Sequence, residues 1–392
     1  MPAPAAAMRG TAAILRELVA FPTVSRDSNL DLIHYACDML KARGASTRLT
    51  YDDDRRKANL FATFGPEDRQ GIVLSGHTDV VPVEGQPWDT DPYAVIEKDG
   101  RLYGRGTADM KGFLACALAL APELASSNLR APVHFALSYD EEVGCLGIGR
   151  LIADLVQAGI RPRACVVGEP TMMSAVIAHK GKHSYRCTVR GLATHSAYAP
   201  QGVNAVEAAA EAIAYLKSIA RRHRDRGPFD RAFDVPYSTV HTGVIRGGTA
   251  LNIVPSECVF DFEFRHLPSD DQASFLEEVR AHLKATLEPE MRAVSAATGF
   301  EIKQLSEMPA LDMSPESEIV GLVQELTGNA DLGKVSYGTE ASQFQRAGMP
   351  AVVCGPGSIA QAHKPNEFVA LEQLEQCERF LRALIERLCA SP

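Results

Sequence analysis

The stretch GIVLSGHTD at residues 71–79 shows the pattern that decides the fold, a short apolar run that ends in polar residues. Residues 133–138 and 164–167 repeat this pattern, and apolar periodicity typical of helices separates the runs at residues 110–124 and 146–156. Short apolar strands that alternate with helices are typical of a parallel sheet buried on both faces. The sequence therefore predicts an α/β domain with a mostly parallel sheet.

The chain changes character after residue 180. Its segments there are predicted as strand, helix, strand, strand, helix and strand, which is the split βαβ order of a ferredoxin-like fold. Residues 258–264 alternate apolar and polar side chains, so this sheet is expected to have one solvated face. Beyond Pro309 the α/β pattern returns. We therefore predict a domain of residues 1–179 and 309–392 that is interrupted by a smaller α+β domain at residues 180–308.

Composition excludes several classes of function. The formal net charge is −9, from 40 Lys and Arg against 49 Asp and Glu, which disfavours nucleic acid and membrane partners. Nine scattered cysteines without a C-x-x-C pair are typical of reduced thiols in the cytoplasm and indicate no cysteine zinc site. The opening MPAPAAAMRG lacks the features of a signal peptide, and no apolar stretch reaches about 18 residues. We therefore expect a cytoplasmic protein.

Polar residues follow the predicted strands of the first domain. Ligands of open α/β sheets bind at the carboxyl ends of the strands, so these residues are expected to meet at one edge. They are His77, Asp79, Asp109, Asp140, Glu141, Glu142, Glu169 and His363. Imidazole and carboxylate ligands without thiolate suit zinc, cobalt or manganese. So many carboxylates favour two ions, and a carboxylate such as Asp109 can bridge them. Hydrolysis is the chemistry that such a pair serves.

The residue types alone suggest some of the roles. Asp79 lies two positions from His77, where its carboxylate can accept a hydrogen bond from the second imidazole nitrogen. One of Glu141 and Glu142 is expected to bind metal while the other acts as general base to metal-bound water, and this choice stays open. Each residue taken singly also has an ordinary structural explanation, such as a helix N-cap for Asp109. Their joint occurrence at several strand ends favours a metal site.

Four segments are similar to the successive signatures of the di-zinc amidohydrolase and metallopeptidase family. They are residues 76–82, 102–112, 140–142 and 168–170. The family contains acetylornithine deacetylases, succinyl-diaminopimelate desuccinylases, aminoacylases and carboxypeptidase G. The resemblance implies that His77 and Glu169 bind one metal. It also implies that Glu142 and His363 bind the other, with Asp109 as the bridge.

The same resemblance implies a mechanism and an assembly. It makes Glu141 the general base that generates metal-bound hydroxide, and it makes Asp79 the partner of a metal ligand. It implies that the first domain is catalytic and that the inserted domain is a lid through which a homodimer forms. The expected cofactors are two divalent ions, zinc above cobalt or manganese. The expected substrate is a small N-acyl amino acid.

The inserted domain carries three further candidate residues. His195 lies in residues 191–197, which resemble a lid segment whose histidine reaches the partner's active site and stabilises the oxyanion. Asn252, in residues 249–255, and Arg265 resemble a pair that holds the substrate α-carboxylate. An arginine suits this role because its planar fork binds a carboxylate at two points.

Within the family, residues 336–341 and 354–365 most resemble the acetylornithine deacetylases. The desuccinylases usually have a Ser-Asp pair in place of Glu340 and Ala341. We hypothesise that Glu340 recognises the ornithine δ-ammonium or lies beside the metals. Hydrolysis of another N-acyl amino acid or of a dipeptide is the nearest alternative, and a catalytically silent ligand-binding member is a remote one.

Overall fold

The computed structural model describes residues 4–389, with side chains described from Gly10 onward. The interpretation of the opening MPAPAAAMRG as lacking a signal peptide falls partly on residues outside this range. The strands in chain order are β1 Ser46–Tyr51, β2 Ala58–Phe64, β3 Ile72–His77, β4 Ile96–Lys98, β5 Arg101–Tyr103, β6 Val133–Ser138, β7 Ala164–Val167, β8 Ala175–His179, β9 Gly181–Arg190, β10 Thr239–Gly247, β11 Glu257–His266, β12 Gly299–Met308, β13 Leu311–Asp312, β14 Leu332–Val335, β15 Ala351–Val353 and β16 Phe368–Ala370.

The α-helices are α1 Pro4–Ala20, α2 Leu30–Lys41, α3 Lys111–Ala119, α4 Ala121–Ser126, α5 Ile148–Gln157, α6 Ala205–Arg226, α7 Gln272–His282, α8 Glu288–Val294, α9 Glu318–Thr327, α10 Ala341–Arg346 and α11 Leu371–Leu388. Short 3₁₀ segments occupy Ser196–Gln201 and Ile359–Gln361, and a π-helical turn at Leu283–Leu287 joins α7 to α8. The single helix predicted at residues 110–124 is divided between α3 and α4. The division falls at Leu120, because Pro122 lacks the N–H that a continuous helix needs.

The described residues form two compact units. The first comprises the described residues up to Ile177, the segment Asp312–Gly333 and the described residues from Thr339 onward. The second comprises Ala178–Leu311 and Lys334–Gly338. The domain boundaries predicted from the sequence, after residues 179 and 308, differ from these unit boundaries by two and three residues.

The segment Lys334–Gly338 lies in the second unit, although the sequence places it in the first domain. Its side chains explain this position. Lys334 Nζ donates to Asp230 Oδ2 at 2.8 Å, and the Ser336 hydroxyl donates to Asp234. Both acidic partners lie between α6 and β10. These contacts join residues more than a hundred positions apart, and so no local pattern in the sequence reveals them.

The first unit is built on a mixed sheet in which β1, β2, β6, β3, β7 and β15 are successive neighbours. The four strands β6, β3, β7 and β15 run parallel, whereas β1 and β2 pair antiparallel at one side and β8 pairs antiparallel with β15. All four parallel strands are buried at every position, as expected for strands covered on both faces. The predicted α/β class is confirmed, with the correction that only the centre of the sheet is parallel.

The parallel centre of this sheet brings several strand ends together. His77 is the last residue of β3 and pairs with Ser138, the last residue of β6. Ser75 pairs with Val167, the last residue of β7. Residues that follow these strands therefore start from one edge, the carboxyl edge at which open α/β sheets bind their ligands.

The second unit contains a four-stranded antiparallel sheet in the order β10, β11, β9, β12. With α6 after β9 and the α7–α8 run after β11, this is the predicted split βαβ arrangement. Residues of β9 and β11 alternate between buried and less buried, and the buried face packs on the helices. The core includes Phe264 stacked on Phe275 with ring centroids 4.0 Å apart. Asn204 caps α6 by accepting bonds from Val206 N and Glu207 N.

No helix in residues 4–389 is both long and apolar enough to span a membrane. Within residues 4–389 none of the nine cysteines forms a disulfide, and each of them except Cys389 is buried.

Candidate metal centre

Six of the candidate residues converge at the carboxyl edge of the parallel strands. Asp109 lies at their centre, just before α3. Its Oδ1 lies 3.0 Å from His77 Nε2, and its Oδ2 lies 3.4 Å from His363 Nε2. His77 Nε2 is also 3.7 Å from Glu169 Oε1, while His363 Nε2 is 2.9 Å from Glu142 Oε2. The two oxygens of one carboxylate therefore face two separate imidazole and carboxylate pairs.

Glu141 is the sixth member of this cluster. Ligand atoms of His77, Glu141 and Glu169 lie within 4.8 Å of one another, and so do those of His77, Asp109 and Glu142. One Glu141 oxygen also accepts a weak hydrogen bond from the Cys145 thiol at 3.2 Å. Glu141 thus lies beside His77 and Glu169, whereas Glu142 contacts His363 and also lies within reach of His77.

Lys57 holds the turn that carries both glutamates, in which Asp140 adopts a left-handed backbone conformation. Asp140 has φ 57°, a conformation that costs an ordinary residue about 1–3 kcal/mol and persists only where its surroundings enforce it. Lys57 Nζ donates to both carboxylate oxygens of Asp140, at 2.6 and 2.8 Å. It also donates to the Ser25 carbonyl. Sequence reasoning missed Lys57, because an isolated lysine between two strands gives no local signal.

Asp79 supports the cluster in a different way from the one predicted. His77 Nδ1 bonds to the backbone carbonyl of Asp79 at 2.9 Å, whereas the carboxylate Oδ1 is 3.7 Å away. The carboxylate instead accepts bonds from Ser25 Oγ at 2.7 Å, Glu141 N at 3.1 Å and Glu142 N at 3.3 Å. These donors turn the carboxylate toward the glutamate turn. Asp79 therefore orients the backbone of both glutamates as well as the imidazole of His77.

Burial and mutual repulsion raise the pKa values of the three glutamates of the cluster. Burial, reinforced by neighbouring carboxylates, raises the pKa of Glu141 to about 8 and that of Glu142 to about 7. The same causes raise the pKa of Glu169 well above its ordinary value. Hydrogen bonds to Asp109 and Glu142 raise the pKa of His363 to about 10. The clustered carboxylates thus favour positive charge beside them.

This donor set fits two divalent cations. Carboxylate oxygens and imidazole nitrogens without thiolate are ligands that zinc, cobalt and manganese accept. Buried carboxylates are costly unless a cation or hydrogen bonds compensate them. Asp109 offers one oxygen toward each imidazole, which is the geometry of a bridging ligand. His77, Asp109 and Glu169 are buried, whereas the His363 side chain is 55% exposed, so the cluster is open on one side.

Comparison with known proteins decides the family. A profile described as peptidase family M20/M25/M40 matches residues 73–387. The chain belongs to this family. The family resemblance predicted from the sequence motifs is therefore confirmed, and the chain is a hydrolase of the class that cleaves amide bonds.

Relatives of this M20 chain cover nearly its whole length. Acetylornithine deacetylase of Myxococcus xanthus is 38% identical over 389 residues, covering 96% of this chain and 97% of that protein. Acetylornithine deacetylase of Pasteurella multocida is 34% identical over 379 residues, covering 95% and 96%.

Solved structures share the fold. An M20 family metallo-carboxypeptidase from Sulfolobus solfataricus matches with TM-score 0.75 at 17% identity, over 96% of this chain and 98% of that one. A dinuclear metal-binding peptidase of the M20 family from Bacillus subtilis matches with TM-score 0.66 at 15% identity, over 98% and 99%.

Glu340 lies buried beside the metal-ligand cluster of this M20 chain. Its side chain is 1% exposed, and the nearest hydroxyls, those of Ser138 and Ser75, do not reach full hydrogen-bond geometry with its oxygens. Burial raises its pKa to about 7, while the Ser138 hydroxyl and the charge of His77 oppose this shift. Of the two roles hypothesised for Glu340, the position beside the metals agrees with this burial. A substrate ammonium would have to reach a carboxylate that is almost closed to solvent.

The three candidates of the inserted domain lie in the second unit of this M20 chain. His195 is exposed, and its Nδ1 accepts a bond from Ala197 N at 3.1 Å. Asn252 is exposed on a neighbouring loop, where its carbonyl accepts from Ser196 N at 3.0 Å. The structure therefore brings His195 and Asn252 together.

Arg265 is distant from both of these residues. It is the penultimate residue of β11 and donates from Nε to Glu263 Oε1 at 2.8 Å, whereas Asn252 precedes the first residue of that strand. The eight steps of β11 between Glu257 and Arg265, at about 3.3 Å each, span about 26 Å. Arg265 therefore lies near the far end of the strand that begins five residues after Asn252.

Proposed function

We propose that the chain hydrolyses N2-acetyl-L-ornithine to acetate and L-ornithine, a step of arginine biosynthesis. The observation that carries the proposal is the buried Asp109, whose two oxygens face His77 and His363 with Glu141 alongside. The acetylornithine deacetylases that are 34–38% identical over nearly the full length support the choice of substrate. The matching solved structures, which include peptidases, leave another N-acyl amino acid or a dipeptide as the alternative substrate.

Two divalent metal ions are the proposed cofactors, zinc above cobalt or manganese. We assign His77 and Glu169 to one ion, the His77 position, and Glu142 and His363 to the other, the His363 position. Asp109 bridges the two positions. The ligand distances support this division, since each imidazole lies close to one glutamate and to one oxygen of Asp109.

Bound ions of this kind polarise the amide carbonyl and lower the pKa of a water molecule. Glu141 is the proposed general base, and it takes the water proton and then passes it to the leaving amine. Its carboxylate lies beside the cluster, and burial raises its pKa to about 8 before any cation opposes that shift. Asp79 holds the turn that carries Glu141 by accepting its backbone N–H. His195 is proposed to stabilise the oxyanion, and Asn252 and Arg265 to hold the substrate α-carboxylate.

The proposed assembly is a homodimer through the second unit. Strand β10 forms an edge of the four-stranded sheet, with Val244 and Ile245 42% and 50% exposed. An open strand edge with apolar side chains is a surface that pairs readily with another chain. Asn252 precedes the start of β11 and Arg265 lies near its end, so the proposal is that two copies contribute these residues to one substrate site. A cytoplasmic location is proposed from the nine free thiols.

The proposed function is tested by metal content and acetate release, compared for the native chain and Glu141→Ala. The expected result is retained metal with turnover of N-acetylornithine reduced by about 10²-fold or more, as for loss of a general base. Glu375→Gln, an exposed change of one charge on α11, is the control and should behave like the native chain. Undiminished turnover in Glu141→Ala would contradict the role of Glu141. Faster hydrolysis of N-acetylcitrulline or N-acetylmethionine, followed as acetate, or of succinyl-diaminopimelate, followed as succinate, would contradict the proposed substrate.

A further inference from the structure

One buried carboxylate holds the loop that ends at Asp109. Glu367 is 1% exposed, and its two oxygens accept four hydrogen bonds. Oε2 accepts from Arg105 Nη1 at 2.8 Å and from Gly106 N at 3.0 Å. Oε1 accepts from Ala108 N at 2.9 Å and from Asp109 N at 3.1 Å. The backbone of the bridging ligand is therefore bonded directly to Glu367.

The buried guanidinium of Arg105 extends this network to the backbone of the loop that carries His363. Arg105 Nη1 also donates to the Lys364 carbonyl at 3.2 Å, and Nη2 donates to Gln86 Oε1 at 2.5 Å. Gln86 Nε2 in turn donates to the carbonyl of His363 at 3.0 Å. The guanidinium carbon lies 5.0 Å from the centre of the Trp88 ring. Arg105 thus connects Glu367 to the loop that carries His363.

The two ligands reached by this network need such support more than His77 and Glu169 do. His77 ends strand β3 and Glu169 follows strand β7, so the sheet itself positions them. Asp109 and His363 lie on loops, and His363 has φ 63°, a left-handed conformation that its surroundings must enforce. Among the described residues, the hydrogen bonds of the Glu367 and Arg105 side chains go to these loops and to Gln86, and none goes to β3 or β7.

We propose that Glu367 and Arg105 are positioning residues of the metal centre. By fixing the loops of Asp109 and His363 they set the metal affinity of the His363 position more than that of the His77 position. The inference rests on the ligand assignment made for the proposed function. Its physical basis is that a ligand held in place by bonds to its backbone loses no further freedom when the metal binds, as with other supporting contacts of metal ligands.

The test measures Co²⁺ affinity by competition with a chromophoric chelator, with and without Glu367→Gln. A Glu169→Gln background leaves mainly the His363 position, and a Glu142→Gln background leaves mainly the His77 position. The expected loss of affinity is about 10–100-fold in the first background. It is expected to be smaller, by about threefold or more, in the second, where Asp109 is still a ligand but His363 is not. Equal losses in both backgrounds, or no loss in either, would overturn the proposal.

Two further variants keep the test informative. Arg105→Lys retains a positive charge beside Glu367 but loses the planar fork, so the same selective loss at the His363 position is expected even if Glu367→Gln folds poorly. Glu375→Gln removes one negative charge from the surface and should leave both affinities unchanged. Each variant is first checked for folding by far-ultraviolet circular dichroism, because Arg105 contacts Trp88 and its replacement would alter the fluorescence of this tryptophan directly. Acetate release by the native chain is measured separately, and its failure would refute the substrate while the affinities still decide the positioning role.

Discussion

Glu340→Gln should stabilise the metal-free protein, because it removes a carboxylate whose charge is disfavoured by burial more than the neighbouring Ser138 and Ser75 hydroxyls compensate. Burial raises the pKa of Glu340 from 4.5 to about 7. At 1.36 kcal/mol per pKa unit, this difference corresponds to about 3 kcal/mol. The raised pKa means that the charged form disfavours the folded state. The penalty is absent below about pH 4.5, grows as the pH rises and is complete above about pH 7.

The free energy of unfolding of the metal-free protein is measured with urea at pH 5 and pH 8, and the signal is the fluorescence of Trp88. This tryptophan is the chain's only one and lies in the first unit, so the signal reports the unit that contains Glu340. We expect Glu340→Gln to be more stable than the native chain by about 3 kcal/mol at pH 8 and by less than about 1 kcal/mol at pH 5. Glu375→Gln should match the native chain at both pH values. Equal stability of Glu340→Gln and the native chain at pH 8 would refute the reasoning.

The same substitution should weaken metal binding, since it removes a negative charge beside the cluster. We expect on the order of tenfold lower affinity, as for other groups that support metal ligands indirectly. The KM for N-acetylornithine at saturating metal should stay unchanged, because a carboxylate that is 1% exposed does not contact the substrate. A raised KM with unchanged metal affinity would instead support recognition of the ornithine δ-ammonium. Unchanged KM, kcat and metal affinity would contradict both hypothesised roles.

Two further predictions concern the core and the assembly. His134 is buried with its Nδ1 2.9 Å from Thr63 Oγ1, and burial lowers its pKa to about 4. Its titration should therefore contribute a loss of about 3 kcal/mol of stability between pH 6.5 and pH 4, as the unfolded state takes up a proton, against the gain from the buried carboxylates. In urea unfolding across this range the native chain should lose this amount relative to His134→Asn, and equal pH slopes for the two would contradict the assignment. The variants His195→Ala and Arg265→Ala should each be nearly inactive alone. When the two variants are mixed so that their subunits exchange, roughly a quarter of native activity should return, because about half of the dimers are mixed and each mixed dimer has one intact site. Absence of recovery in verified mixed dimers would contradict a site shared between two copies.

Prediction from the sequence succeeded where local pattern and fold rules agree. His77 and Glu169 end or follow buried parallel strands, and the rule for strand ends suffices to bring them together. The supporting contacts were not predictable, because each depends on pairing distant parts of the chain. Arg105 and Glu367, for example, are 262 positions apart. The signal available was their position in the chain, since each lies four residues from a proposed ligand.

Asp79 shows the same limit at short range. The spacing of two residues from His77 correctly indicates proximity, but it does not determine which oxygen accepts the imidazole proton. That choice depends on Ser25 and on the backbone N–H groups of the glutamate turn, which compete for the carboxylate. The parallel sheet was also predicted too broadly, because strands β1 and β2 were not recognised. Both pair antiparallel, and they make the sheet mixed.

The cluster also explains why this chain places so many acids where they weaken the fold. Burial opposes charge on Glu141, Glu142, Glu169 and Glu340 alike, as their raised pKa values show. Without cations, deprotonation of these glutamates therefore lowers the free energy of unfolding increasingly as the pH rises, because the unfolded chain leaves their carboxylates in water. Cations that bind only the folded arrangement reverse this cost, so metal binding and folding of the first unit should be coupled. Part of the net charge of −9 thus reflects a binding site concentrated in the interior and not general surface acidity.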